Sequence, residues 1–142
     1  MTLTIAETRD IALCRVLRRS VFIEEQGVSE ADELDKYDGT ALHLLARLDG
    51  VAVGTARLLV KGDVGKIGRV CVLASARGKG IGAALIRAAV DRFRDMPGLA
   101  NVRLGAQTHA LEFYTRLGFT PMGEVYQDAG IPHQDMELAL FS

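Results

Sequence analysis

Residues 75 to 84, SARGKGIGAA, set Gly78, Gly80 and Gly82 within five positions and interleave them with Arg77 and Lys79. Glycine lets successive backbone amides turn the same way and come close to a ligand. A helix starting there adds unpaired N–H groups and the positive end of its dipole. With two cations alongside, the stretch reads as an anion cradle, and a phosphate or pyrophosphate is its best guest. The competing reading is a helix start whose glycines only permit close packing. A nucleotide P-loop would need Ser or Thr after the lysine, and Lys79 is followed by Gly80. Gly78, Gly80 and Ala83 fit the dinucleotide fingerprint locally, but Leu73 to Arg77 separate it from the preceding strand. The next strand ends on Gln107, where an acid should grip the ribose.

The elements that position this loop follow from periodicity. LTIAET alternates as a strand, and Thr8 offers a cap to a helix carrying Ile11, Cys14, Leu17 and Val21 on one face and Arg15, Arg18 and Arg19 on the other. Gly27 stops it. From Glu24 to Asp38 seven acids stand against the single cation Lys36, which reads as a solvated loop with room for a short helix. ALHLLARL and VAVGTARLLVK flank Asp49-Gly50 as a hairpin, and a second turn from Lys61 to Gly65 leads to a strand from Lys66 to Val72. Leu85, Ile86, Ala89, Val90 and Phe93 make the apolar stripe of a helix broken at Pro97-Gly98. NVRLGAQ completes a βαβ unit. A helix capped by Thr108 carries Ala110, Phe113, Tyr114 and Leu117, and two strands close the chain around a loop holding Gly130, Pro132 and His133. The order predicts an α/β fold with a single mixed, mostly antiparallel sheet and helices on both faces.

Arg77, Gly80 and Gly82 also fit (Q/R)xxGx(G/A), and the sequence resembles the GNAT N-acetyltransferases. The likeness covers roughly residues 40 to 140: GRVCVLASARGKGIGAALI, VRLGAQ, HALEFYTRLGF and the terminal hairpin stand in that family's order. RRSVFIEEQGVSEADELDKYD and GIPHQDMEL look like its ElaA-like and YjcF-like branch. The resemblance implies the acyl-CoA N-acyltransferase fold and acetyl-CoA as co-substrate. Its pyrophosphate would lie on Arg77, Gly78, Lys79, Gly80, Ile81 and Gly82, and its pantetheine arm along the backbone of Val70, Cys71 and Val72. The Val72 amide could polarise the acetyl carbonyl. It further implies direct attack by a primary amine, with Tyr114 protonating the departing thiolate; by spacing alone, Tyr114 is a core residue. Glu24, Glu25, His109 and His133 are candidates for the base, Glu25 and His133 also for substrate contact. Cys71 has no histidine beside it in sequence, so a packed thiol is expected in place of an acyl-carrying nucleophile.

The chain has 142 residues and 15.3 kDa, is 49% hydrophobic and 25% charged, and carries a net charge of −1. This predicts one domain, 1–142, that folds alone. The near-neutral charge argues against nucleic acid as a partner. No apolar run is long enough to span a bilayer, and no signal region precedes the fold, so a cytoplasmic protein without a membrane partner is expected. His43, His109 and His133 stand singly, so no metal is expected, and Cys14 and Cys71 read as buried reduced thiols. The acidic run would favour a cationic acceptor, a small-molecule or lysine-like amine, if it borders the cleft. A protein that binds CoA without transferring an acyl group, as a sensor or assembly partner, is the alternative function. The oligomeric state stays open, a homodimer among the alternatives.

Overall fold

The computed structural model describes residues 2–141. Seven strands form one sheet in the order β1-β2-β3-β4-β5-β7-β6, with β1 Leu3–Thr8, β2 Leu42–Leu48, β3 Val51–Lys61, β4 Val64–Val72, β5 Asn101–Gln107, β6 Thr120–Asp128 and β7 Ile131–Ala139. Every neighbouring pair is antiparallel except β4 and β5, which are parallel because helix α3, Ile81–Arg94, crosses between them. The expected mixed, mostly antiparallel sheet is therefore present. On one face α3 buries Ile81, Leu85, Ile86, Ala89 and Phe93 against Leu44, Ala56, Leu58, Ile67, Val102 and Leu104. Helix α4, Leu111–Arg116, joins this side through Leu111 and Tyr114. On the other face α1, Ile11–Arg18, places Cys14 and Leu17 against Leu45 and Cys71. Phe93 lies so close to the sheet that a Cβ on Gly65 would come within 2.7 Å of its ring. A side chain at position 65 would push the helix off the strand.

Several expectations need correction. Asp10, not Thr8, caps α1 by accepting from the Leu13 amide at 3.0 Å, while Thr8 accepts from Asp10 itself at 3.1 Å. The chain after α1 widens into a π-helical stretch, Arg19–Glu25, before Gly27 turns it with φ +74. Strand β4 starts at Val64, two residues early, because Gly62-Asp63 suffices for the turn. Thr108 opens a 3-10 turn, and α4 begins at Leu111 with no side-chain cap. The closing hairpin turns tightly on Ala129-Gly130, which puts Pro132 and His133 inside β7 and not in a loop.

The largest correction concerns charge. Arg18, read as a solvent-facing cation, is 1% exposed, and the acidic segment folds inward onto it. Arg18 bonds Glu33 at the end of α2, Glu30–Glu33, and donates to Asp38 at 2.8 Å. Arg57 donates to Asp38 and Asp35, and Arg15 to Asp38. Burial alone would raise the Asp38 carboxyl, but the bonds from Arg18, Arg15 and Arg57 outweigh it and hold the group far below the carboxylate range. The acids of this run are mostly consumed by arginines, so the segment is a wall bolted to the sheet. No helix among the described residues is long and apolar enough to cross a membrane, and no group of three or more His, Cys, Asp or Glu among them could hold a metal ion.

Candidate functional site

Strands β4 and β5 pair only from Val64–Asn101 to Ile67–Leu104, and then they separate. The cause is a bulge. Arg69 adopts φ +51, and one residue of β3, Ala56, faces two of β4, Arg69 and Val70. A bulge sharpens the local twist and bends its strand, here away from β5. Arg69 then reaches the carbonyls of Asp32 and Glu33 at the end of α2, at 3.3 and 2.9 Å. The same residue therefore opens the fork and anchors the wall beside it.

The fork leads into a cleft of about 520 Å³. Its lining includes Phe22, Gln26 and Val28 from the α1 side, Val70 and Gly105 from the fork, and Tyr114 from the α3 side. The cleft thus runs through the sheet. Val70 lines it, and the β4 edge from Gly68 to Val72 has no strand partner on the β5 side. Cys71 points away into the cluster with Cys14, where burial pushes its thiol up to about 12. Cys14 and Cys71 are both free and buried.

Beyond β4, a 3-10 turn at Ala74–Ala76 delivers the chain to the glycine loop. Gly78 and Gly80 take φ +80 and +77, a backbone region costly for residues with a Cβ, and Gly80 is the N-cap of α3. α3 has no side-chain cap, and the amides of residues 78–83 find no hydrogen-bond partner among the described residues. Six consecutive donors are therefore open, Ile81 and Gly82 included, at the positive end of a 14-residue helix. Arg77 stands apart from them. Its guanidinium forks onto Glu25 at 2.5 and 2.7 Å and donates to the Val72 carbonyl at 3.1 Å. This ties the π-helical stretch to the end of β4 and occupies Glu25, which does not line the cleft. Lys79 makes no ion pair among the described residues.

Tyr114 sits edge-on to Phe113 and Phe119, with ring centres 5.0 and 6.2 Å away, and its hydroxyl has no bond among the described residues. Burial pushes the phenol up to about 12, so it keeps its proton through the neutral range. Among the base candidates, only His133 lines the cleft. Its Nδ1 lies 2.7 Å from the Ile131 carbonyl; a carbonyl only accepts, so Nδ1 carries the proton and Nε2 of the neutral ring is bare. Glu24 faces Arg19, and His109 bonds Gln107. Sequence reasoning missed Tyr126 and Asp135. Tyr126 stacks on His133 with ring centres 5.9 Å apart, and its hydroxyl donates to Asp135 Oδ1 at 2.6 Å. Counting back from a two-residue turn at Ala129-Gly130 would have set Tyr126 opposite His133.

The comparisons with known proteins agree with this geometry. The family model described as Acetyltransferase (GNAT) domain matches residues 17–140. The Bacillus subtilis protein named as uncharacterized N-acetyltransferase YjcF is 35% identical over 121 residues, 84% of this chain and 86% of its own. Among solved structures, an acyl-CoA N-acyltransferase from Pseudomonas aeruginosa is 32% identical with a TM-score of 0.83, covering 97% of this chain and 99% of that one. Escherichia coli ElaA is 28% identical with a TM-score of 0.85, covering 96% and 99%. A forked βαβ unit, a row of open amides at its helix and a family match over most of the length lead to one conclusion: this chain belongs to the GNAT acetyltransferase family.

Proposed function

We propose that the protein transfers an acetyl group from acetyl-CoA to a primary amine. The observation that carries this reading is the junction of two features: open amides at the head of α3, and an unpaired β4 edge leading from them into a cleft that crosses the sheet. The pyrophosphate would be held by the amides of Gly78 to Gly82, with Lys79 beside them, and the pantetheine amides would pair with the backbone of Val70 to Val72. Arg77 would act indirectly, by fixing the loop to Glu25 and Val72.

The amine nitrogen forms its bond to the thioester carbon as the carbon–sulfur bond breaks. The nitrogen sheds a proton to the bare Nε2 of His133, and Tyr114 gives one to the departing sulfur, so charge balances in the cleft. A phenol near 12 is a weak acid for an exposed thiolate. A thiolate in a dry site is raised in step, as burial raises Cys71 to a similar value. Thiol release from acetyl-CoA with a panel of primary amines tests the proposal. Amine-dependent release that Gly80→Glu abolishes, together with CoA binding, is expected. Tight CoA binding with no release for any amine would support the sensor or assembly role instead.

A further inference from the structure

We infer that Asp135, held by Tyr126 above Gly105, anchors a non-reacting ammonium group of the acceptor, leaving a second, neutral primary amine to attack, and makes the cleft selective for cationic amines. The inference rests on the proposed acetyl transfer and names what the acceptor half of that site recognises.

The argument starts from side-chain direction. Ile67, Leu104 and Met136 belong to the core under α3, so their neighbours Gly68, Gly105 and Asp135 face the opposite side. Ile67–Leu104 is the last pair before the fork, which makes Gly68 and Gly105 its first open row. Neither carries a side chain, and a Cβ on Gly68 would meet nothing within 4 Å. The Gly68 side of that row is therefore bare backbone, while the Tyr126 hydroxyl covers Gly105. Asp135 lies directly across from Gly105 in the β5–β7 register.

Gly105 serves Tyr126. A Cβ there would stand 2.5 Å from the Tyr126 hydroxyl, so only glycine lets the phenol reach in and donate to Asp135 Oδ1. Burial first, then the bond to Asp135 and the negative charges of Asp135 and Asp128, push the Tyr126 phenol well above its ordinary value, which keeps it a donor. Asp135 Oδ2 has no hydrogen-bond partner among the described residues.

Charge accounting separates Asp135 from most acids around it. Glu33 is matched by Arg18, Asp35 and Asp38 by Arg57, and Glu137 by Arg103. Asp135 has no cationic partner among the described residues, nor have Asp128 and Asp32, which line the same cleft. A carboxylate fixed by a phenol, beside an aromatic face and next to the open space over Gly68, receives an ammonium through charge-assisted hydrogen bonds and a cation–π contact. Of these unpaired acids, Asp135 is the one whose carboxylate is fixed by a side-chain hydrogen bond and set across from the first open row of the fork, so the closing hairpin adds a selecting acid to the part of the acidic run that borders the cleft. The competing lining charge is Lys66, which lacks an ion-pair partner among the described residues and would favour an anionic amine.

The test is calorimetric titration of the CoA-loaded protein with n-butylammonium, spermidine and L-glutamate, so turnover is not needed. Wild-type protein is expected to bind the two cations and not glutamate. Asp135 is exposed, so Asp135→Asn should weaken cation binding about three- to fivefold. Tyr126→Phe should weaken it by a smaller factor, and Gly105→Ala should match Tyr126→Phe because its methyl displaces the hydroxyl. CoA affinity should stay unchanged in all three. Cation binding unaltered by Asp135→Asn, preference for glutamate, or no cation binding by the CoA-loaded wild type would each overturn the anchor while leaving acetyl transfer standing. Failure to bind CoA at all would instead remove the reading beneath it.

Discussion

At Tyr114 core packing and the proposed catalytic role fall on one residue, and sequence spacing cannot separate them. It shares a helix face with Leu111 and packs edge-on against Phe119, as a core residue would, yet its hydroxyl is unbonded and its ring lines the cleft. Tyr114→Phe keeps the packing and removes only the proton. We expect kcat to fall by about 100-fold or more while the Kd for CoA is unchanged, because a positioned acid contributes roughly 10²–10⁴ in rate. Steady-state kinetics with paired CoA titrations checks this, and unchanged kcat would return Tyr114 to the core. Gly80, like Gly78, has little freedom to change. Its φ of +77 disfavours any side chain, so Gly80→Val should lose about 1–2 kcal/mol of stability. It should also weaken CoA binding, by moving the amides on either side. Denaturant melts and calorimetry on one preparation separate the two effects.

At the scale of elements, the bulge at Arg69 and the acidic wall do what no local pattern announces. Periodicity located each strand within a few residues, because alternation and 3.6-residue spacing are properties of neighbours in sequence. The bulge depends on register between β3 and β4, and the inward turn of Glu33 and Asp38 depends on Arg18 and Arg57 arriving from elements far apart in sequence. An arginine amid polar neighbours reads as solvated until a partner is known. π-helical geometry likewise leaves no 3.6-residue signature, so the sequence reads as ordinary helix through Val21 and as loop from Glu24. The wall carries a pH prediction. The Asp38 carboxyl is depressed in the folded protein, so its contribution is present above the unfolded carboxylate value of about 4. That contribution is lost as pH falls from there toward the lower folded value. Asp38→Asn should cost about 1–3 kcal/mol at pH 7, since Arg18 and Arg57 lose one carboxylate partner while keeping Glu33 and Asp35. The gap from wild type should narrow below about pH 4. Urea melts at pH 7 and pH 3 check it, and an equal gap at both would show that the ion pairs are not the source.

Across the whole molecule, the glycine loop and the elements around it were legible in sequence, and the residues of the proposed acceptor side were not. The glycine loop, the helix it starts and the parallel strand after it lie within one contiguous βαβ unit, so their chemistry can be read in a line. The proposed acceptor side joins Gly68 on β4, Gly105 on β5, Tyr126 on β6 and Asp135 on β7, which meet only when the sheet assembles. What keeps both halves in register is the α3 core. Phe93→Ala should cost about 3–5 kcal/mol by opening a cavity over Gly65, and Gly65→Ala about 1–3 kcal/mol by overpacking the same contact. If thermal denaturation showed Gly65→Ala to be neutral, the close approach of α3 to β4 would be looser than described.

The central claim is that backbone amides at the head of α3 hold the diphosphate of coenzyme A. Amide chemical shifts followed during a CoA titration test it most directly. The account predicts that Gly78, Lys79, Gly80, Ile81 and Gly82 move most and saturate together, with Val70 to Val72 following along the fork. Saturable CoA binding that leaves those amides unmoved, or no binding at all, would contradict it.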